Sequence, residues 1–202
     1  MKKIDIICIL DMSGSMGSII EKAREGFNQF LKDQKNSDNK INFSLLFFDD
    51  NFYMPYNQVN IQKVKKVNEK TYYHCGMTAL YDAIGKMIDD YLDNLASIKK
   101  EDRSDKSLFV IITDGGENAS TVYHKQSIKL LVTHMREEFN SEFIYLGANQ
   151  DSAFEAEMMG MDRSNAFDYA ATNEGITVAY ANISKATAYY ASTDVKENLF
   201  QK

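Results

Sequence analysis

The sequence predicts an α/β protein: a doubly wound, mostly parallel central sheet with one antiparallel edge strand and helices on both faces. Two observations carry that expectation. Short, β-branched and almost wholly apolar runs at residues 4–10 and 108–112 have the composition of strands covered on both faces. Between and after them lie stretches whose apolar residues recur at steps of three and four, the spacing of one helix face. Strands alternating with helices require right-handed crossovers, and these lay helices on both sides of a parallel sheet.

The elements follow in order. Residues 4–10 form the first strand, and a polar turn at residues 11–18 leads into a helix marked by Ile20, Ala23, Phe27, Phe30 and Leu31. A polar connection at residues 33–40 precedes a strand at 41–48. Asp49, Asp50 and Asn51 suit a hairpin into residues 52–59, where Pro55, the only proline, places that arm at a sheet edge because it cannot donate to a ladder. From Thr78 the pattern is helical, with Leu80, Ile84, Met87, Ile88, Tyr91 and Leu95 on one side, and it ends in the charged stretch 99–106. The strand at 108–112 is followed by a helix at 123–138, a strand at 143–146, a short helix after Asp151 and a final helix from about Asn173 to Ala191. That last helix carries Ala179, Tyr180, Ala186 and Tyr190 in place of a dense Leu and Ile stripe. No repeat, linker or low-complexity segment divides the chain, so residues 1–202 are expected to form a single domain.

Composition narrows the function classes. Apolar residues make up 44% of the chain and charged residues 26%, which favours neither disorder nor a membrane class. A net charge of −6 argues against general nucleic-acid binding, which needs clustered Lys and Arg. The lysine-rich stretch 63–70 reads as a solvated face. No run of about 20 apolar residues could span a bilayer. Lys2 and Lys3 imitate the start of a secretion signal, but Asp5 and Asp11 interrupt the apolar run that would follow. With two cysteines only, Cys8 and Cys75, there is no disulfide framework, and free thiols point to a reducing, cytoplasmic setting.

Ligands of open α/β sheets bind beyond the carboxyl ends of the strands, where the strand order reverses. The most unusual polar residues stand there. Asp11, Ser13 and Ser15 alternate after the first strand, with Gly14 letting the backbone bend between them. Thr78 brings a hydroxyl from a second loop and Asp114 a second carboxylate from a third. An all-oxygen set with few carboxylates suits Mg²⁺, which prefers octahedral oxygen ligation and keeps several waters, with Mn²⁺ or Ca²⁺ as substitutes and zinc a poor match.

The segment Asp11-Met12-Ser13-Gly14-Ser15 resembles the D-x-S-x-S motif of the metal-ion-dependent adhesion site of von Willebrand factor type A domains, which have a Rossmann-like fold. Residues 76–83 resemble that family's threonine loop and residues 112–115 its aspartate loop, in the family's order. The resemblance implies direct ligation by Ser13, Ser15 and Thr78, with Asp11 and Asp114 contacting the ion directly or through water. It also implies one coordination position left for an acidic group of a partner protein, and in some members a displacement of the C-terminal helix. The function expected is therefore a non-enzymatic, Mg²⁺-dependent protein-binding module.

Competing readings weigh less. Ser15 and Thr78 taken singly are ordinary helix N-caps. A Mg²⁺-dependent phosphohydrolase using Asp11 lacks its general acid, since the position two residues on is Ser13. A nucleophile elbow at residues 13–17 lacks its first glycine, and His74 with Cys75 lacks an orienting acid. A metal-free scaffold is the third alternative. Glu117 could place negative charge at the rim; Tyr72, Tyr73 and His74 could belong to that rim but read more readily as an ordinary packed loop, and Asn149, Gln150 and Asp151 could line the same crevice or form a plain polar loop. Met158, Met159 and Met161 read as core filler, and His124 and His134 as surface residues.

Overall fold

A computed structural model describes residues 2–200. Its sheet has six strands: β1 (Lys3–Asp11), β2 (Lys40–Phe48), β3 (Phe52–Asn60), β4 (Lys106–Thr113), β5 (Ser141–Ala148) and β6 (Ala166–Tyr169). Five α-helices cover it: α1 (Ile20–Lys35), α2 (Leu80–Ser97), α3 (Lys125–Glu138), α4 (Ser152–Met158) and α5 (Asn173–Ser192). The strand order is β3-β2-β1-β4-β5-β6, with β2 and β3 antiparallel and every other pair parallel. The doubly wound sheet with one antiparallel edge is as the sequence predicts.

Alternation along β1 explains why the sheet needs helices on both faces. Ile4, Ile6, Cys8 and Leu10 point into a core closed by α1 and α5, while Ile7 and Ile9 point into a second core closed by α2 and α3. The α1–α5 contact is close because Gly26 has no side chain: a β-carbon there would meet the Tyr180 ring at 2.4 Å. Pro55 does sit on an edge strand, beside a break in the β2–β3 register between Leu45 and Phe47.

Three local readings need correction. β6 was not expected; it is only four residues long, pairs with β5 alone, and is mostly half-exposed. The third long helix starts at Lys125, not at residue 123, because Tyr123 donates its backbone N–H to Asp82 and is held outside the helix. The turn after β1 contains a 3₁₀ segment, Gly14–Ser18, before α1 begins.

The chain beyond α5 is tied down. Asn165 donates from its side-chain amide to the Lys196 carbonyl and accepts from the Leu199 N–H, and the Phe200 ring packs on Phe167 at 5.6 Å. Lys106, buried, donates its ammonium to the Tyr190 and Thr193 carbonyls at the end of α5.

Candidate metal centre

The strand order reverses between β1 and β4, whose Leu10 and Ile112 are register partners. The next residues on each strand, Asp11 and Thr113, meet at the carboxyl end of the sheet, and the Thr113 hydroxyl donates to one Asp11 carboxylate oxygen at 2.6 Å. The other Asp11 oxygen accepts from the Ser13 backbone N–H at 2.7 Å. Asp11 is thus fully buried and fixed by β1, β4 and its own turn.

The other four predicted residues come to the same place. Ser13 Oγ lies 3.0 Å from Ser15 Oγ, and Ser15 Oγ donates to an Asp114 carboxylate oxygen at 2.6 Å. A β-carbon on Gly115 would sit 3.3 Å from Ser15 Oγ and 3.5 Å from Thr78 Oγ1, so both hydroxyls face one point and the glycine leaves it open. All five oxygen-bearing residues from three loops therefore converge.

Neither Ser15 nor Thr78 is a helix cap. The N-cap of α1 is Ile19 and that of α2 is Ala79, neither with a side-chain cap bond. The Thr78 backbone is used, its N–H donating to Asn118 Oδ1 and its carbonyl accepting from the Asn118 and Ala119 N–H groups. Its hydroxyl makes no hydrogen bond among the described residues, although only 3% of Thr78 is exposed. Its oxygen is therefore free to take another partner.

Charge points the same way. Burial pushes the Asp11 carboxyl up to about 6 despite the Thr113 and Ser13 hydrogen bonds, and burial likewise raises Asp114. No Lys or Arg pairs with either carboxylate among the described residues. Two desolvated carboxylates, three hydroxyls and no cation make a donor set that a hard divalent ion fits.

Several residues that hold this geometry have roles other than those the sequence suggested. Tyr72 takes the packed alternative and not the rim: it is fully buried, lies against Phe47 at 4.7 Å and donates its hydroxyl to the Asp11 carbonyl at 2.9 Å. Tyr73 and His74 are exposed, and Gly17 leaves room for the His74 ring, which a β-carbon would approach to 3.1 Å. Glu117 does not present a free charge. Its carboxylate accepts from the backbone N–H groups of Tyr81, Ala119 and Ser120 and from the Ser120 hydroxyl, so it ties the aspartate loop to the start of α2. Asp82 performs the same task further on, accepting from the N–H groups of Thr121, Val122 and Tyr123. Nothing in the local sequence around Asp82 signals that role.

The remaining loop is shaped by Gly76, at φ +66°, where a β-carbon would collide with Asp50 Oδ1 at 1.9 Å. Asp50 accepts from the Met77 N–H, and Asp49 accepts from the Asn51 N–H, which fastens the hairpin tip to the threonine loop. Asp151 caps α4, and Asn149 turns the chain at φ +54°. Met159 and Met161 are buried core residues and Met158 is exposed, as are His124 and His134.

The model of the von Willebrand factor type A domain family matches residues 5–183. The chain belongs to that family. Its members are protein-interaction modules, often metal-dependent. Solved structures agree on the fold. The manganese-loaded TRAP protein of Plasmodium vivax shares 19% identity over 91% of this chain and 73% of its own, with a TM-score of 0.62. The vWF domain of the type V pili tip protein Mfa5 from Porphyromonas gingivalis shares 10% identity over 95% and 97%, with a TM-score of 0.66. Proximal thread matrix protein 1 from the mussel byssus shares 16% over 93% of this chain, with a TM-score of 0.61, and a second structure of that protein, 14% identical, has a zinc-occupied MIDAS motif. The chain spans 46% of the length of the byssus protein. No curated protein sequence matches it. No helix among the described residues is long and apolar enough to cross a membrane.

Proposed function

We propose that this vWA domain is a non-enzymatic binding module in which Asp11, Ser13, Ser15, Thr78 and Asp114 hold Mg²⁺ and the ion takes a carboxylate from a partner protein. The observation that carries the reading is the convergence of three hydroxyls and two desolvated carboxylates on one point, with the Thr78 hydroxyl left without a protein partner. When bound, the ion supplies positive charge to an incoming oxygen. The chain's own residues set its direction of approach, since Asp11 lies below, against the sheet, and the half-exposed Asp114 and exposed Ser15 lie at the open side.

The phosphohydrolase reading fits less well. An aspartate nucleophile works with a general acid two positions on, and that position is Ser13, whose hydroxyl is a poor proton donor. The cytoplasmic assignment rests on Cys75, an exposed free thiol, and stays a proposal with it.

Calorimetric titration tests the ion, with Mg²⁺, Mn²⁺, Ca²⁺ and Zn²⁺ compared because the TRAP and byssus structures hold manganese and zinc. Saturable Mg²⁺ binding that disappears in Asp11→Ala is the expected result; no binding of any divalent ion would refute the site. Capture of partners from lysate with and without EDTA, and a phosphate-ester assay expected to stay at background, test the module and its non-enzymatic character.

A further inference from the structure

Beside the metal cluster lies a cavity of about 220 Å³ between α2, the aspartate loop, α3 and the chain after β5. Its wall shares two segments with the cluster: Gly116 lies two residues past Asp114, and Leu80 two residues past Thr78. Two residues of chain reach at most about 7 Å, so these wall residues stand within that distance, Cα to Cα, of the proposed ligands.

The cavity is built from polar groups with unused capacity. Tyr145, 1% exposed, accepts a hydrogen bond from Gln150 Nε2 at 3.1 Å, but its own O–H has no acceptor among the described residues. Gln150 Oε1 has no donor there either. Gln150 is held in place because its side chain folds back over Gly147, where a β-carbon would come within 2.2 Å of Nε2. The charged groups are already engaged. Lys125 pairs with Glu155 at 2.8 Å, and Glu117 accepts four hydrogen bonds.

Those features select among occupants. A second carboxylate would meet Glu117 and Glu155 against one already paired lysine, and like charges at close range are unfavourable. An apolar side chain would leave the Tyr145 O–H and Gln150 Oε1 without partners. A carboxamide supplies both complements, a carbonyl oxygen for Tyr145 and an N–H for Gln150. In an extended peptide, side chains at i and i+2 share a face about 7 Å apart, so a residue two positions from a metal-bound acid is the next one to face the same side, where the cavity adjoins the ligand loops.

We propose that this cavity is a second recognition subsite, which takes the Asn or Gln side chain two residues from the metal-bound acid of the partner. This rests on the metal-dependent reading above for its first anchor, but the cavity itself is tested separately.

The probes are three peptides, Ac-Asp-Gly-Gln-NH₂, Ac-Asp-Gly-Leu-NH₂ and Ac-Asp-Gly-Glu-NH₂, titrated with Mg²⁺ against the isotopically labelled protein by NMR. A fourth, Ac-Gly-Gln-NH₂, is titrated without metal. The glutamine peptide should bind at least about fivefold more tightly than the other two, equivalent to one good hydrogen bond. Tyr145→Phe should abolish that preference while keeping the Mg²⁺ dependence. Lys125→Ala, on a half-exposed helix position, should alter the preference without touching the core. Ac-Gly-Gln-NH₂ should shift the Gly116 and Gly147 amide signals in the wild type and not in Tyr145→Phe. If the acidic peptides ignore Mg²⁺ but the neutral one still shifts those signals, the metal reading fails and the subsite stands. Equal affinities for the three acidic peptides, or a silent Ac-Gly-Gln-NH₂ titration, overturn the subsite.

Discussion

Asp11→Asn should make the metal-free protein more stable at neutral pH and abolish its stabilisation by Mg²⁺. The magnitude follows from burial. Asp11 has its carboxyl raised from an ordinary 3.8 to about 6, and each pH unit between folded and unfolded values is worth about 1.4 kcal/mol. Because the folded value is the higher one, the folded chain keeps the proton while the unfolded chain has lost it. Stability therefore falls as pH rises from 3.8 to about 6 and stays lower above that, by about 3 kcal/mol in all. Asparagine removes the charge with little loss of hydrogen bonding. Its carbonyl can still accept from the Ser13 N–H, and the Thr113 hydroxyl can turn fully to the Gly115 carbonyl 3.0 Å away. Glu142, also raised to about 6 by burial, is present in both proteins and cancels in the comparison. For a domain of this size about 3 kcal/mol corresponds to roughly 6–12 °C in melting temperature. Melting curves in EDTA from pH 3.5 to 7.5 should show the two proteins close together at the acid end and the mutant higher at pH 7. Adding Mg²⁺ at 100 times its Kd should raise the wild type by about 2.7 kcal/mol and leave the mutant where it was. A mutant that melts below the wild type at pH 7, or an offset that does not change with pH, would refute the burial reasoning.

Four further outcomes are expected. Thr78→Ala should leave the metal-free melting temperature nearly unchanged, since the hydroxyl has no partner, yet weaken Mg²⁺ binding at least about tenfold in calorimetry, because losing a direct ligand should cost no less than losing an outer-shell partner. Asp82→Ala strands three backbone N–H groups, two of them on exposed residues, so urea denaturation should report a loss of about 2–3 kcal/mol; a loss under 1 kcal/mol would contradict the role assigned to that carboxylate. Affinity for Mg²⁺ should fall as pH drops below about 6, where Asp11 takes up its proton, and a flat profile from pH 5 to 7.5 would exclude it as a ligand. Hydrogen exchange should show residues 193–200 losing protection in Asn165→Ala, whereas saturating the wild type with Mg²⁺ alone should leave α5 unaltered, given its close packing at Gly26 and its anchor at Lys106.

What could be read from the sequence is what local pattern encodes. β1 and β4 are buried on both faces and so appear as continuous apolar runs, and the five oxygen-bearing residues stand out because each follows such a run or opens a helix. β6 escaped because an edge strand of four residues with Asp168 in it has neither length nor alternation to announce itself, and Asp168 is spent on the Ser152 N–H. Tyr72, Asp82 and Glu117 were misjudged or overlooked for a different reason. The partners of Tyr72 and Asp82 are 61 and 39 to 41 positions away, and Glu117 adds to its local bonds with Ala119 and Ser120 one to Tyr81, 36 positions away; no local pattern reports such distant partners.

The ties between loops bear on how much of the binding energy of an ion would go into ordering the site. The β1 turn is bonded to β2 through Met12 N–H and the Phe48 carbonyl, and to the threonine loop through Cys75 with Met12 and Gly14 with Gly76. The threonine loop is bonded to the hairpin tip through Ala79 and Asp49, and to the aspartate loop through Thr78 and Asn118. These are backbone contacts or bonds from residues that do not ligate, so none has to break when an ion enters. The Ser15 hydroxyl bond to Asp114 is different: it lies at the exposed side and joins two proposed ligands, and the proton between them must turn away for both oxygens to face a cation. On the metal-dependent reading, an ion would exchange that bond and the Ser13–Ser15 hydroxyl contact for its own charge and leave the backbone frame as it stands. On the proposed reading, a partner carboxylate arriving at the open side would meet Ser15 and Asp114 first, so the mobile part of recognition would lie in those two side chains, above Asp11, Ser13 and Thr78.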